Sequence, residues 1–327
     1  MKVLVKFRIV VTAPMREEGV RLLEREAELK IFPKPPSEEE LVEAVKDADA
    51  LLVTLNVERA TRKVIESGPK LKVIARHGVG FDNVDLEAAD ERGIWVTTAP
   101  VLNETVADQA FSLLLTSARR ICEANYFVKS KRWTVRDPML FTGTDVCGKT
   151  LGIIGLGRIG VCIAERAKGF KMKLLYYDIV RKDEIEKKFG VEFEPLETLL
   201  RDSDFVTISC ALTEQTKGLI GEEELKKMKD TAFIINVARG PIIDHSALVK
   251  ALKEKWIAGA GIDVFYKEPL PLDDPIIELK NVLLTPHLAS NTIECRKRMA
   301  VTAAEEILRV LHGEKPLFPV NSPFTKK

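Results

Sequence analysis

Short β-branched apolar runs alternate with amphipathic, charged stretches along almost the whole chain. This alternation predicts parallel strands joined by right-handed helical crossovers, so we expect an α/β fold. A first set of strands, before residue 100, is predicted at 3–12, 29–32, 50–55, 71–75 and 94–97. Helical patterns lie between these strands, including 37–47, which opens with the capping box Ser37 and Glu40. The first set therefore predicts one small, doubly wound unit.

A second set of strands is predicted at 151–154, 174–177, 205–209, 233–237, 260–264 and 282–284. Six strands are expected of a complete dinucleotide-binding (Rossmann) sheet. Residues 103–132 form one long amphipathic stretch between the two sets, and we expect a single helix there. A last amphipathic helix, 292–312, is too isolated to be a domain, so we expect it to pack on the first unit.

These patterns predict two doubly wound parallel-sheet domains. A Rossmann domain would span 103–287, and a smaller, discontinuous, flavodoxin-like domain would combine 1–102 with 288–327. The length of 327 residues, 46% of them hydrophobic, agrees with two domains.

Charge and cysteine content exclude several classes of protein. The chain has 50 Lys+Arg against 49 Asp+Glu, a formal net charge of +1, which argues against nucleic-acid and membrane-surface partners. The 5 cysteines are scattered without a CxxC pair, so we predict neither a disulfide framework nor a metal site. The first apolar run carries charges and no run reaches about 18 apolar residues, which predicts a cytoplasmic protein.

A glycine motif, Gly155-x-Gly157-x-x-Gly160, follows the strand at 151–154 and opens the helical stretch 161–169. The first glycine makes a tight turn, the second lets a pyrophosphate approach the backbone, and the third lets the helix pack closely on the strand. The N-terminus of the helix then offers free N–H groups to the anion. The motif predicts a dinucleotide site.

Asp178 ends the next predicted strand, where a carboxylate accepts hydrogen bonds from the adenosine ribose. Its charge repels a ribose 2′-phosphate, so we predict NAD as the cofactor, with NADP as a weaker alternative because Arg181 lies close in the sequence. The alternative interpretation is a glycine turn followed by an unrelated surface aspartate.

Three further residues follow strand ends of the second set: Arg239, Glu268 and His287. An imidazole held by a carboxylate is a general acid/base, and a guanidinium can bind a substrate carboxylate through two hydrogen bonds. Beside a nicotinamide, this set predicts hydride transfer to a 2-oxo acid. The alternative interpretation is that His287 is a structural histidine.

Five motifs in order resemble the D-isomer-specific 2-hydroxyacid dehydrogenases. They are residues 76–85 (RHGVGFDNVD), the glycine motif, 236–240 (NVARG), 261–265 (GIDVF) with Glu268-Pro269, and 285–287 (TPH). The segment 113–264 looks most like archaeal glyoxylate/hydroxypyruvate reductases, whereas the loop 76–80 is closer to phosphoglycerate dehydrogenases.

The resemblance implies NAD(H)-dependent reduction of a small 2-oxo acid, glyoxylate or hydroxypyruvate first, to the D-2-hydroxy acid. His287 would be the proton donor, Glu268 its partner and Arg239 the substrate clamp. Substrate contacts are predicted at Asn56, His77, Gly78, Val79, Gly80 and Arg239. Cofactor contacts are predicted at Thr105, Gly155, Gly157, Arg158, Ile159, Gly160, Asp178, Ala211, Leu212, Thr216, Val237, Ala238, Asp263 and His287.

Other activities remain open at this point. A phosphoglycerate- or 2-ketogluconate-type dehydrogenase belongs to the same family. Formate dehydrogenases of similar fold carry Gln where this chain has Glu268, which weighs against formate. Corepressors resembling the family keep the same three residues, so a non-catalytic dinucleotide sensor is a further alternative.

The resemblance also implies a homodimer through 103–132 and the loop that follows. One face of this stretch is apolar: Val106, Ala110, Leu113, Leu114, Ser117 and Ile121. We expect the loop 133–141 to reach the partner subunit and to place Arg136 at its substrate pocket. The alternative is an exposed arginine on a mobile loop.

Overall fold

A computed structural model describes residues 6–323 of the protein. Contacts divide the chain into two compact units, with the divisions after Leu102 and after Ala289, so that the last segment of the chain belongs to the first unit. The predicted α/β class with two parallel, doubly wound sheets is confirmed. Residues 3–5 of the first predicted strand lie outside the described residues.

The strands alternate with helices along most of the chain. The strands are β1 (Phe7–Val11), β2 (Ala27–Ile31), β3 (Ala50–Val53), β4 (Val73–Arg76), β5 (Trp95–Thr97), β6 (Thr150–Ile154), β7 (Lys173–Tyr177), β8 (Val191–Phe193), β9 (Phe205–Ile208), β10 (Phe233–Asn236), β11 (Gly259–Ile262) and β12 (Val282–Leu284). The helices are α1 (Glu17–Glu24), α2 (Glu38–Val45), α3 (Arg62–Glu66), α4 (Leu86–Glu91), α5 (Asn103–Ala118), α6 (Ile121–Lys129), α7 (Arg158–Gly169), α8 (Asp183–Phe189), α9 (Leu196–Asp202), α10 (Glu222–Lys227), α11 (His245–Glu254) and α12 (Ile293–Leu311). Within residues 6–323, no helix is long and apolar enough to span a bilayer.

The first unit has a five-stranded parallel sheet in the order β2-β1-β3-β4-β5, which is the flavodoxin-like order. The predicted capping box starts α2: Ser37 N donates to Glu40 Oε2 at 2.8 Å, and Glu40 N donates to Ser37 Oγ at 3.2 Å. Helix α12 follows the N-cap Thr292 and packs on α1 and the sheet of this unit through buried residues such as Met299 and Ile307.

The second unit has a seven-stranded parallel sheet in the order β12-β11-β10-β9-β6-β7-β8. The prediction of six strands was wrong because it missed β8. This is the third strand of the unit along the chain, and it lies at the edge of the sheet, as strand 3 does in the Rossmann order 3-2-1-4-5-6. This edge strand is only three residues long and pairs with β7. Its alternation is too short to stand out in the sequence.

The single helix predicted over 103–132 was also wrong. Arg120 has φ 52° and ψ 37°, a left-handed conformation that separates α5 from α6. Thr144 N caps the carbonyl of Ala118 at 2.8 Å at the end of α5. The helix therefore ends through a contact with a segment more than twenty residues away, which no local pattern reveals.

The apolar face of α5 is buried within its own unit, against α7, β10 and β11. Val106, Ala110, Leu113 and Leu114 are all buried there. These four residues of the predicted apolar face are therefore covered within their own unit, whereas Ile121, in α6, is 51% exposed. The homodimer itself stays a prediction. None of the residues of α6 is buried.

Candidate active site

The glycine turn between β6 and α7 has the geometry of a pyrophosphate cradle. Gly155 has φ 93°, and a Cβ there would lie 2.5 Å from Cys210 N. A Cβ on Gly160 would collide with the carbonyl oxygen of Gly155. At Gly157, in contrast, a Cβ would meet no described atom within 4 Å, so the open side of the turn lies there. The residues present therefore fit a dinucleotide, whose pyrophosphate would lie at the N-terminus of α7.

Asp178 follows β7 and is tied to this turn. Its Oδ2 accepts a hydrogen bond from Leu156 N at 2.9 Å. The carboxylate thus lies beside the cradle, where the ribose of a bound dinucleotide is held in such sheets. Arg158 and Ile159 form the first turn of α7, the first exposed and the second half-buried.

Other predicted cofactor residues lie in loops after neighbouring strands. After β9, the hydroxyl of Thr216 donates to the carbonyl of Ala211 at 2.7 Å, which closes a compact loop around Leu212. Val237 and Ala238 follow β10, and Thr105 is buried near the start of α5. Their cofactor contacts stay predictions.

The predicted histidine–carboxylate pair is formed. Nδ1 of His287 lies 2.7 Å from Oε2 of Glu268, and Glu268 Oε1 accepts a hydrogen bond from Phe265 N at 3.1 Å. Partial burial of Glu268 opposes its ionisation, but the hydrogen bond from His287 and the charge of Arg239 lower its pKa overall. The carboxylate is therefore an anion at neutral pH. With Nδ1 engaged, Nε2 of His287 is the ring nitrogen that can exchange a proton with a substrate.

Asp263 is fully buried beneath His287. Its Oδ1 accepts from Thr285 Oγ1 at 2.6 Å and from Leu288 N at 3.0 Å, and its Oδ2 accepts from Ala289 N at 2.9 Å. Burial raises its pKa, against the effect of these three donors. The side chain therefore holds the turn that carries His287, while its predicted cofactor contact stays a prediction.

Asn236, at the end of β10, holds the loop of Arg239. Its Nδ2 donates to Arg239 O at 2.9 Å, and its Oδ1 accepts from Ala238 N at 3.0 Å. A Cβ on Gly240 would collide with the backbone of Phe265, so this glycine lets the loop approach the segment of Glu268. Our site prediction omitted both residues. A buried amide at the end of a strand is the signal that would have found Asn236.

The predicted substrate loop of the first unit follows β4. Arg76 is 2% exposed and donates to Val53 O, Leu55 O, Gly80 O and Asn56 Oδ1 at distances between 2.6 and 2.9 Å. Its guanidinium thus fixes the loop of Gly78, Val79 and Gly80, which are half-buried. His77 lies in the interior, 4% exposed. The substrate contacts of these residues stay predictions.

One group with metal-binding atoms occurs among residues 6–323. Ligand atoms of Glu104, Cys162 and Glu165 lie within 4.8 Å of one another. Arg166 Nη1 lies 2.8 Å from Glu104 Oε2, so a cation already neutralises that carboxylate. We therefore interpret this group as part of the contact between α5 and α7, not as a metal site.

Comparison with known proteins decides the family. The family model described as "D-isomer specific 2-hydroxyacid dehydrogenase, NAD binding domain" matches residues 111–289, more than half of the chain. The glyoxylate reductase of Korarchaeum cryptofilum is 49% identical over 325 residues, which cover 98% of each chain. The glyoxylate reductase of Pyrococcus horikoshii is 47% identical over 328 residues, again 98% of each.

The chain belongs to the D-isomer-specific 2-hydroxyacid dehydrogenase family. It is an oxidoreductase that acts on CH–OH donors and uses NAD(P), as the resemblance implied. Among solved structures, an NADPH-dependent glyoxylate/hydroxypyruvate reductase from Sinorhizobium meliloti, in complex with NADP and malonate, is 28% identical with a TM-score of 0.87. That match covers 98% of this chain and 99% of the other.

Proposed function

We propose that this dehydrogenase reduces glyoxylate to glycolate and hydroxypyruvate to D-glycerate with NADH. The observation that carries the proposal is the 2.7 Å contact between His287 Nδ1 and Glu268 Oε2, in the same unit as the glycine cradle. Relatives 45–49% identical over nearly the full chain are named glyoxylate reductases, which supports this substrate class.

The reaction needs one hydride and one proton. When bound, the nicotinamide supplies the hydride to the carbonyl carbon. His287 Nε2 delivers the proton to the carbonyl oxygen, and Glu268 stabilises the protonated imidazole through Nδ1. Arg239 binds the substrate carboxylate and polarises the carbonyl. The products are the 2-hydroxy acid and NAD⁺, with His287 left neutral until it takes a proton from water.

NADH rather than NADPH is proposed because of Asp178. Its carboxylate is fixed at the cradle by the hydrogen bond from Leu156 N, so a 2′-phosphate would meet a negative charge there.

Arg76 gives no support to a phosphorylated substrate, because its guanidinium is already engaged within the loop. Arg76 is the first residue of the loop 76–80, which resembles that of phosphoglycerate dehydrogenases. Its guanidinium is almost fully buried and bonds to three carbonyl groups and the Asn56 side chain, which favours a role in holding the loop.

Oxidation of NADH, followed at 340 nm, tests the proposal. Glyoxylate, hydroxypyruvate, phosphohydroxypyruvate and 2-ketogluconate are compared by kcat/KM, and the first two should be preferred. His287→Asn should lower kcat about 10²–10⁴-fold, with a much smaller change in NADH affinity. His312→Asn is the matched control, because that exposed histidine also pairs with a carboxylate, Glu26, but in the first unit.

Turnover of phosphohydroxypyruvate above glyoxylate would contradict the substrate assignment. Absence of turnover with every 2-oxo acid, in a chain that binds NADH, would favour the corepressor-like alternative. Near-normal kcat in His287→Asn would remove that residue from its role.

We also propose that the protein is a homodimer through α6 and the loop 130–141. This region exposes large apolar side chains: Ile121, Tyr126, Val128, Trp133, Val135 and Met139. Tyr126 is 67% and Val135 74% exposed, and a patch of this kind is typical of a protein interface. Light scattering should give a dimer that Tyr126→Glu with Val128→Glu dissociates. A monomer at micromolar concentration would contradict it.

Arg136 lies exposed in this loop. If it enters the partner's pocket, Arg136→Ala should reduce kcat/KM for hydroxypyruvate and spare glyoxylate, which is too small to reach it. If the substitution leaves kcat/KM unchanged for both substrates, Arg136 is the exposed, solvated arginine of the alternative interpretation.

A cytoplasmic location is consistent with the five unpaired cysteines, of which Cys122 and Cys147 are exposed.

A further inference from the structure

The segment after Asp178 carries a network of hydrogen bonds that centres on Glu186. Arg181 Nε and Nη2 donate to the two carboxylate oxygens of Glu186, both at 2.9 Å. Asp183 Oδ1 lies 3.2 Å from Arg181 Nε. The one arginine close in sequence to Asp178 therefore has two anionic partners.

The anchor of this network is Tyr176, whose ring is fully buried in β7. Its hydroxyl donates to Glu186 Oε1 at 2.7 Å and accepts from Lys182 N at 2.7 Å. The hydrogen bonds from Arg181 and Tyr176 lower the pKa of Glu186, so the carboxylate is charged at neutral pH. Its side chain is only 16% exposed, which fixes its position from the interior.

Arg181 itself is 62% exposed and lies three residues after Asp178. A guanidinium there is the natural partner for a ribose 2′-phosphate. In this chain two parallel N–H···O bonds hold it on Glu186 instead, and a phosphate must break both to capture it. Repulsion by Asp178 then acts on the phosphate without compensation from Arg181.

We propose that Glu186 is a cofactor-specificity residue, which excludes NADPH by holding Arg181 through a two-bond ion pair anchored on Tyr176. Glu186 acts as a positioning residue and touches no part of the cofactor. The inference rests on the proposed preference for NADH and adds the reason why Arg181 does not weaken it.

Calorimetric titration of the full chain with NADPH and with NADH tests this without turnover. Glu186→Gln keeps an acceptor for the Tyr176 hydroxyl but removes the carboxylate charge of the two-bond ion pair with Arg181. The ratio of the NADPH Kd to the NADH Kd should fall about tenfold, the effect of one released charge-assisted contact. Glu184→Gln is the matched control, because Glu184 is on the same helix, is exposed and has no ion-pair partner within 4 Å among residues 6–323.

Arg181→Ala in the Glu186→Gln background should restore the original ratio. The inference is overturned if Glu186→Gln leaves the ratio unchanged, if Glu184→Gln shifts it equally, or if the double variant keeps the gain. Equal affinities of the unmodified chain for both dinucleotides overturn it as well. A chain that binds NADH but reduces no 2-oxo acid contradicts the proposed reaction alone, because these affinities do not depend on turnover.

Discussion

Asp263 and His287 are linked by a backbone hydrogen bond, and the Asp263 side chain also holds the turn that follows His287. His287 N donates to Asp263 O at 2.8 Å, while the Asp263 carboxylate accepts from the two amides that follow His287, those of Leu288 and Ala289. His287 has φ 51°, a left-handed conformation that a non-glycine residue keeps only when its surroundings hold it. A buried carboxylate directly after β11 therefore fixes the position of His287, the proposed proton donor.

Asp263→Asn should impair catalysis through this turn. The asparagine side chain has one acceptor oxygen where the aspartate has two. Its NH₂ group would therefore face a donor, either Ala289 N or the pair Thr285 Oγ1 and Leu288 N. An unpaired buried polar group costs about 1–3 kcal/mol, so we expect kcat to fall roughly 10–10²-fold. Steady-state kinetics beside calorimetric NADH affinity measure it. Thr285→Val, which removes only one donor, should have a smaller effect; full activity of both variants would refute this role.

Glu268→Gln should change the pH dependence of the reduction. The pKa of Glu268 is lowered, so it carries its charge throughout the neutral range and stabilises the protonated imidazole. Reduction needs that protonated form and fades as pH rises. Without the anion, the fall in kcat/KM should move to lower pH. Profiles from pH 5 to 10 measure it, and superimposable curves would mean that the pair does not act in catalysis.

Asn236→Ala should weaken substrate binding through Arg239. The change removes the bonds to Arg239 O and Ala238 N, so the loop loses its fixed geometry. We expect KM for glyoxylate to rise about tenfold, the size of one lost buried hydrogen bond of ~1.4 kcal/mol. Asn281→Ala is the control, because Asn281 also makes two side-chain bonds to the backbone, donating to the carbonyls of Leu252 and Ala258. Equal effects of the two variants on KM would argue against a specific role.

Much of the site follows from strand ends. The glycine turn and Asp178 come directly after predicted strands, and Arg239, Glu268 and His287 lie within four residues of the end of one. Parallel strands bring their carboxyl ends to one edge of a sheet. Residue types at these positions were therefore enough to predict the His287–Glu268 pair.

What the sequence could not show depends on distant contacts. Thr144 N donates to Ala118 O at the end of α5, just before the break at Arg120, and the three residues of β8 are a strand only because β7 pairs with them. Arg181 had been expected to soften the exclusion of NADP, but its side chain is engaged by Glu186. Whether Arg181 bonds to Glu186 or remains available to a 2′-phosphate beside Asp178 depends on how the backbone places Glu186, which the sequence does not show.

His77 should make the first unit sensitive to acid. The side chain is 4% exposed, and among residues 6–323 neither ring nitrogen has a hydrogen-bond partner. Burial first, and then the positive charges of Arg296 and Arg76, lower its pKa to about 3. The folded chain therefore keeps this imidazole neutral over a range in which the unfolded chain, with a pKa of about 6.5, binds a proton.

The sign of the effect follows from that difference. The contribution of the neutral imidazole to folding is complete above pH ~6.5 and is lost by up to ~1.4 kcal/mol per pH unit as the pH falls towards 3. His77→Leu removes the titrating group and keeps a buried side chain of similar size. Its melting temperature relative to the unmodified protein should therefore stay nearly constant from pH 7.5 to about 6.5 and rise as the pH falls from there to 5. Circular dichroism melts measure this, with His312→Asn as the exposed control, and a difference that stays constant with pH would show that His77 does not titrate on unfolding.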